Sequence, residues 1–253
     1  MSVVDDLRVI PRYYVVAESA HELQNPTSSE KLELLGQRLG LGPDSRVLDI
    51  ASGRGGPALL FAKTFGCVIR GVEIAPDFHA AAIARAEAAG VSELVTFELG
   101  DGAAAAFEPE AYDAALCLGA SFVFGSLPDT VDALAPAVRP GGFVVVGEPY
   151  WKRLPLADDY EERHELWTTL EGTVTTFETS GLPVVSVIAS SEDDWDRYET
   201  LRWQSVERWL TENPDDPDAA EIRSRHERNK QTYLRHRRDV LGWAIFVGWK
   251  RRG

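Results

Sequence analysis

Cysteine is scarce: Cys67 and Cys117 are the only two in 253 residues, each inside an apolar run, CVIRGVEI and AALCLGA. So few thiols exclude a disulfide framework and a cysteine-held metal cluster. They fit buried thiols in a reducing, cytoplasmic setting. Basic residues are outnumbered, 26 against 40 acidic ones, for a formal net charge of −14. A surface that acidic repels phosphate backbones and anionic lipid, so neither nucleic acid nor membrane is an expected partner. No run of about 18 consecutive apolar residues occurs, so no bilayer span is expected. The opening MSVVDDLRVIPR carries no apolar stretch behind a basic start, and no signal peptide is expected.

What the chain has is enough hydrophobic residues, 44%, to bury a large core, and an ordered alternation of strand and helix patterns. Arg46–Ile50 reads as a first strand after the turn Gly42-Pro43-Asp44-Ser45, and Gly56–Phe65 as the helix that follows. Cys67–Glu73 is a second strand. Pro76 then opens an alanine-rich helix over Phe78–Ala89, which Gly90 stops. Leu94–Leu99 and Ala114–Leu118 are strands three and four. Ser126 caps a helix running to about Val138, and Pro140-Gly141-Gly142 turns into a fifth strand, Phe143–Gly147. Before this core, residues 1–41 read as irregular chain followed by a helix starting near Thr27-Ser28-Ser29-Glu30, which has capping-box spacing. After it come two further strand candidates, Pro183–Ala189 and Gly242–Trp249. Between them lies a long polar helical stretch, 192–238, broken at Asn213-Pro214-Asp215-Asp216-Pro217.

The chemistry-bearing residues stand at the carboxyl ends of the strands, where open α/β sheets bind ligands. Strand one runs into Asp49-Ile50-Ala51-Ser52-Gly53-Arg54-Gly55-Gly56-Pro57-Ala58. Gly53, Gly55 and Ala58 fit G-x-G-x-x-A, a turn in which a ligand meets bare backbone. Glu73 closes strand two 24 residues past Asp49, where a carboxylate can accept both hydroxyls of a ribose. Asp101 follows strand three and is placed to hydrogen-bond an adenine amino group. A glycine loop and three acids at three successive strand ends together point to an adenosine-type ligand.

Over about residues 43–150 the sequence resembles the class I S-adenosylmethionine (SAM)-dependent methyltransferases. Val47-Leu48-Asp49-Ile50-Ala51-Ser52-Gly53-Arg54-Gly55 is similar to their first motif, Gly71-Val72-Glu73-Ile74 to their second and Gly100-Asp101-Gly102 to their third. Tyr112–Cys117 with Arg139-Pro140-Gly141-Gly142 resembles their fourth- and fifth-strand motifs. Ala51 departs from the pattern, standing where the first glycine is usual, and is tolerable there if its φ stays negative. The resemblance implies a Rossmann-like, doubly wound, mostly parallel seven-stranded sheet with an antiparallel last strand. To it would be added an N-terminal helical cover (1–41) and, within a methyltransferase domain spanning 42–253, the helical insertion 192–238. It implies SAM as cofactor, held by Asp49, Ala51, Gly53, Gly55, Glu73, Ile74, Asp101, Gly102 and Leu118. A dinucleotide fits less well, because Asp49 would repel a pyrophosphate and suits the ammonium of a methionine.

Methyl transfer from a sulfonium is an in-line displacement that needs alignment and shielding, with a base only for a protonated acceptor. The chain lacks the N/D-P-P-Y-type motif of nucleic-acid amino methylation, reading Leu118-Gly119-Ala120-Ser121-Phe122 there. It also lacks the thiols for arsenite. A small organic acceptor is therefore expected, methylated at O, N or C, with a non-catalytic SAM-binding protein as the alternative. Candidate catalytic residues are Glu148 and Tyr150, which follow strand five with Trp151, and His21 in the N-terminal segment. Ser121, Phe122, Tyr13, Tyr14 and Asn25 are candidate lining residues, and His79 reads as structural. In the insertion, Trp195, Tyr198, Val206, Trp209 and Leu210 fall on one helical side, which should pack onto the sheet domain. Ile222, His226, Asn229, Tyr233 and Val240 follow a helical period amid Arg223, Arg225, Arg228, Lys230, Arg235, Arg237 and Arg238. That stripe is read either as solvated basic surface or as a lid in which His226, Asn229 or Tyr233 meets an anionic acceptor.

Overall fold

The computed structural model describes residues 10–160 and 167–252. Seven strands, β1 (Arg46–Ile50), β2 (Val68–Glu73), β3 (Val95–Leu99), β4 (Tyr112–Leu118), β5 (Val138–Trp151), β6 (Val184–Ala189) and β7 (Leu241–Trp249), form one sheet. Their order is β3-β2-β1-β4-β5-β7-β6. The first five run parallel, and β7 is antiparallel to both β5 and β6. This is the doubly wound sheet expected, and it reverses direction of winding between β1 and β4, where such sheets open a crevice.

Side-chain alternation divides the core between the two faces. Val47, Ile69, Leu116 and Ile245 pack under α2 (Ser29–Leu39) and α3 (Gly56–Phe65), against Leu32, Leu35 and Phe61. Leu48, Ile50, Val146 and Phe246 face the other way, towards α5 (Leu127–Leu134) and α6 (Leu170–Thr179), against Leu134 and Phe177. α4 (Pro76–Ala89) lies beside α3, buried along Phe78, Ala82 and Ala86. At roughly 25 cal/mol per Å² of apolar area, two such layers supply most of the driving force for folding.

Most strand ends fall within two residues of the sequence pattern, and four larger or more telling differences each have a structural reason. α2 is capped by Ser28, whose hydroxyl accepts from the Lys31 N–H. The Thr27–Glu30 box does not form, because the helix starts one residue later. α5 ends at Leu134 instead of about Val138, since Pro136 has no N–H with which to continue the helix. β5 extends both ways beyond Phe143–Gly147, because Val138 pairs with Tyr112 of β4 and β7 continues to pair with it out to Trp151. In the segment read as irregular, α1 (Arg12–Ala17) is helical through tertiary packing; the first nine residues of that segment lie outside the described ones. α6 carries no signal strong enough to have been anticipated.

The insertion forms α7 (Glu192–Glu212) and α8 (Ala219–Thr232), followed by a π turn at Tyr233–Arg237 and a short α9 (Arg238–Val240). Ser191 and Asp194 cap α7 reciprocally, and the break falls at the Asn-Pro segment as expected. α1 packs into α7 and α8 through Tyr13, Val16, Val206, Leu210 and Ile222. Arg12 pairs with Asp216 at 2.7 Å and Asp218 at 2.6 Å. α1 and the insertion thus make one helical cap, joined to the sheet domain where Trp195 packs beside Trp151 and Leu241 and where Lys31 of α2 meets Asp194.

Candidate active site

The crevice opens at the end of β1, where the chain must leave the sheet and start α3 within a few residues. Gly55 is the N-cap of α3 with φ +75° and its N–H bonds the Ser52 carbonyl at 2.9 Å. Gly53 has φ +57°, and a β-carbon there would collide with the carboxamide of Gln24. Only a residue with no side chain satisfies both demands. Ala51 overturns its expectation: its φ is +55°, left-handed rather than negative. The turn imposes on it the conformation a glycine would adopt freely, at a cost of about 1–2 kcal/mol.

Three carboxylates then meet the crevice. Glu73, 3% exposed, accepts the Gly53 N–H on Oε2 and the Ala75 N–H on Oε1, both at 2.8 Å, so it fixes the loop as well as lining the cavity. Burial raises its pKa and those N–H groups oppose the rise. Asp49 is buried, its carboxyl pushed up to about 7 by loss of solvent and then by the charge of Glu73. Its Oδ2 has no hydrogen-bond partner, and neither has the buried hydroxyl of Ser52 beside it. Asp101 closes the row at the end of β3, where its Oδ1 accepts the Ala103 N–H at 2.9 Å. A cavity of about 300 Å³ is walled by all three acids together with Ala51, Ile74, Gly102 and Leu118. Gly53 and Gly55 shape the turn behind that wall rather than lining it.

The roof is the segment between α1 and α2. Gln24 and Asn25 border the cavity. The Gln24 carboxamide oxygen accepts the Arg54 N–H at 2.6 Å, and Asn25 Nδ2 donates to the Leu118 carbonyl at 3.0 Å. Gln24, Ser52 and Phe78 are wall residues that sequence reasoning passed over. Gln24 alone left a signal, an amide pair before Pro26 ahead of a helix.

Of the candidate catalytic residues, Glu148 has a site-like setting. It is 5% exposed, with its carboxyl pushed up to about 7 by burial while the Ser121 hydroxyl, donating to Oε1 at 3.0 Å, pulls it back down. Its Oε2 has no partner, and the neighbours of Ser121, Ala120 and Phe122, line the cavity. Tyr150 is placed elsewhere: its ring meets Phe246 edge-on at 6.5 Å and covers Gly242. Trp151 packs against Tyr160 and Trp167. His21 does not border the cavity either; its Nε2 donates to the Tyr198 carbonyl at 3.0 Å and burial lowers its pKa. His79 bonds the Phe97 carbonyl at 3.1 Å.

The insertion's stripe is interior. Tyr233 donates to Asp196 Oδ1 at 2.5 Å, between Trp195 and Trp203, and His226 is buried 3.4 Å from Glu207. Asn229 stays half-exposed on α8. Arg225 stacks on Tyr13 and Tyr14 and Arg238 pairs with Asp196, so neither arginine is merely solvated. Among the described residues no cluster of His, Cys, Asp and Glu could hold a metal ion, and no helix is long and apolar enough to cross a membrane.

The donor set of the cavity suits one kind of ligand. A buried carboxylate with a free oxygen stands at β1, a diol-sized acceptor at β2 and a third acid at β3, and the floor between them is apolar. Residues 47–142 match the family model of a methyltransferase domain. The chain is 36% identical to a SAM-dependent methyltransferase from Geobacter sulfurreducens, solved with S-adenosyl-L-homocysteine (SAH). The superposition has a TM-score of 0.90 and covers 96% of this chain and 99% of that one. A SAM-dependent methyltransferase from Thiobacillus denitrificans, also solved with SAH, is 36% identical with a TM-score of 0.89, over 96% and 99%. The Escherichia coli K12 protein YjhP is 36% identical over 243 residues, 94% of this chain and 98% of its own.

Proposed function

Since the chain belongs to the SAM-dependent methyltransferases, and SAM is its cofactor, we propose that it methylates a small organic molecule at an O, N or C atom, with Glu148 as the base where that atom carries a proton. The observation that carries this reading is the Ser121–Glu148 pair beside the cavity. It sets a buried carboxyl with one free oxygen and a pKa of about 7 within β5, three residues before the strand ends. A carboxyl so poised is in the basic form often enough at neutral pH to take a proton, and basic enough to hold it.

The cofactor supplies a methyl group on a positively charged sulfur that leaves as a neutral thioether, so the leaving group requires no acid. Asp49 would take the methionine ammonium on its unpartnered oxygen, Glu73 the ribose hydroxyls and Asp101 the adenine amino group. Gln24 and Asn25 close the roof, which excludes water and holds the reacting atoms in register. An acceptor that must enter beneath such a roof is small, and a surface of net charge −14 disfavours a nucleic acid. The two buried thiols support a cytoplasmic setting.

The test begins with methyl-labelled SAM and fractionated metabolite extracts, which should give a labelled small product. With that acceptor in hand, wild-type turnover should climb as pH rises through about 7, when Glu148 ionises. Glu148→Gln should flatten the climb and cost about a hundredfold in kcat while SAH affinity stays unchanged. Full turnover in Glu148→Gln would remove Glu148 as the base.

A further inference from the structure

The roof over the cofactor cavity is held from a distance. His21 directly precedes Glu22, whose carbonyl accepts from Arg85 Nη1 at 3.3 Å, and Gln24 and Asn25, which bond the Arg54 N–H and the Leu118 carbonyl. His21 is itself fixed by α7: its Nε2 donates to the Tyr198 carbonyl, and its ring stands 5.0 Å from the Tyr198 ring, nearly edge-on. The Tyr198 hydroxyl donates to Glu18 Oε1 at 2.8 Å, and Glu18 Oε2 lies 3.6 Å from His21 Nδ1. Beneath all of them is Arg202. Its Nε is 3.3 Å from Glu18 Oε1, its Nη1 donates to Glu199 at 3.2 Å, and its guanidinium lies over the rings of Tyr13, Tyr14 and Tyr198.

Burial makes this arrangement consequential. Glu18, His21, Glu199 and Arg202 are each 7% exposed or less. A buried guanidinium keeps its place only while its acids and rings do, and removing one member leaves charges without partners. Arg202 borders no part of the cavity. Its influence on the cofactor is therefore indirect, and the contacts just traced supply a route for it.

We propose that Arg202 is a positioning residue for the cofactor: from inside the insertion, through Glu18, Tyr198 and His21, it sets Gln24 and Asn25 over the glycine loop. The insertion is then a working part of the cofactor site and not only a cover for the acceptor.

Calorimetric titration with SAH tests this without any acceptor. Arg202→Met should weaken SAH binding at least tenfold although the residue touches no ligand, and Arg202→Lys, which restores a cation opposite Glu18, should recover part of the loss. Gln24→Ala should cost a similar factor. The deciding measurement is the double variant. If Arg202 acts through Gln24, Arg202→Met adds less than threefold once Gln24 is already Ala. Factors that multiply instead, or wild-type affinity in Arg202→Met, would overturn the proposal. Should Arg202→Met fail to fold, Tyr198→Phe replaces it in the same cycle, since it deletes only the hydroxyl that holds Glu18.

Discussion

The cofactor crevice and the helical cap are built from the same polar residue types, but they connect them over different lengths of chain. In the crevice, Glu73 bonds backbone N–H groups 20 and 2 residues away, and Asp101 bonds one 2 residues away. In the cap, Tyr198 bonds Glu18 across 180 residues and Arg12 bonds Asp216 across 204. The crevice fixes its acids with local backbone and leaves oxygens of Asp49 and Glu148 unpartnered. The cap ties residues far apart in the chain to one another, and its own atoms without a hydrogen-bond partner, such as Glu18 Oε2 and His21 Nδ1, face each other instead of the cavity. A substitution in the crevice should therefore act on ligand affinity with little damage to the fold, and one in the cap should do the reverse unless it reaches the roof.

Glu73→Ala should show the largest effect on the crevice side. It removes a charged acceptor from the ligand and two bonds from the loop, so SAH affinity should fall by about 3 kcal/mol, a hundredfold or more in Kd. Calorimetry showing unchanged Kd would place Glu73 outside the cofactor site and break the contrast at its root.

Asp49→Asn should move affinity and stability in opposite directions. Burial lifts the Asp49 pKa to about 7, so the folded protein binds that proton more tightly than the unfolded chain does. Its contribution is then greatest at low pH and is lost as pH climbs from about 4, the unfolded value, to about 7. Above that, Asp49→Asn should be more stable than wild type by on the order of 4 kcal/mol, while binding SAH more weakly. At about pH 4, where both carry no charge there, the melting temperatures should converge. Equal stability at every pH would show that the crevice stores no electrostatic strain.

The same difference in contact length decides what could be read in the sequence. β1, α3, β2, α4 and β3 were legible because each has its own periodicity and punctuation, and the acids fall at strand ends where register alone puts them. Ala51 misled because the backbone of the turn, not the preference of the residue, sets its φ. Arg202, Glu18 and Gln24 were not legible as a group, for nothing local links residues 18, 24 and 202. Tyr150 alternates onto the Phe246 side of the sheet together with Glu148, but lies two residues further from the crevice, so proximity in sequence overstated its place. The stripe from Ile222 to Tyr233 was recognised as periodic, yet periodicity cannot say whether a polar residue in a buried stripe meets a ligand or another helix.

In the cap, Tyr233→Phe sharpens that last point. The hydroxyl donates to Asp196, which also holds Arg238. Its loss should cost about 1 kcal/mol, or about 2–4 °C in melting temperature for a chain of this size, with SAH affinity and turnover retained. Turnover that falls while the melting temperature holds would return Tyr233 to the acceptor pocket.

Ala51→Gly carries the smallest effect and probes the crevice backbone by itself. Two terms oppose each other. Relieving alanine from a φ of +55° returns about 1–2 kcal/mol, whereas glycine's freer unfolded chain takes back about 0.4–1 kcal/mol. The net gain should lie between about zero and about 1.6 kcal/mol, a rise of at most a few degrees in melting temperature. Ala51 also lines the cavity, so its methyl group adds apolar contact to whatever binds there, worth at most about 0.8 kcal/mol. SAH affinity should then fall by less than fourfold as stability rises. A lower melting temperature in Ala51→Gly would mean that the alanine fits its turn without strain, and that the strained element of the crevice is its buried carboxylates alone.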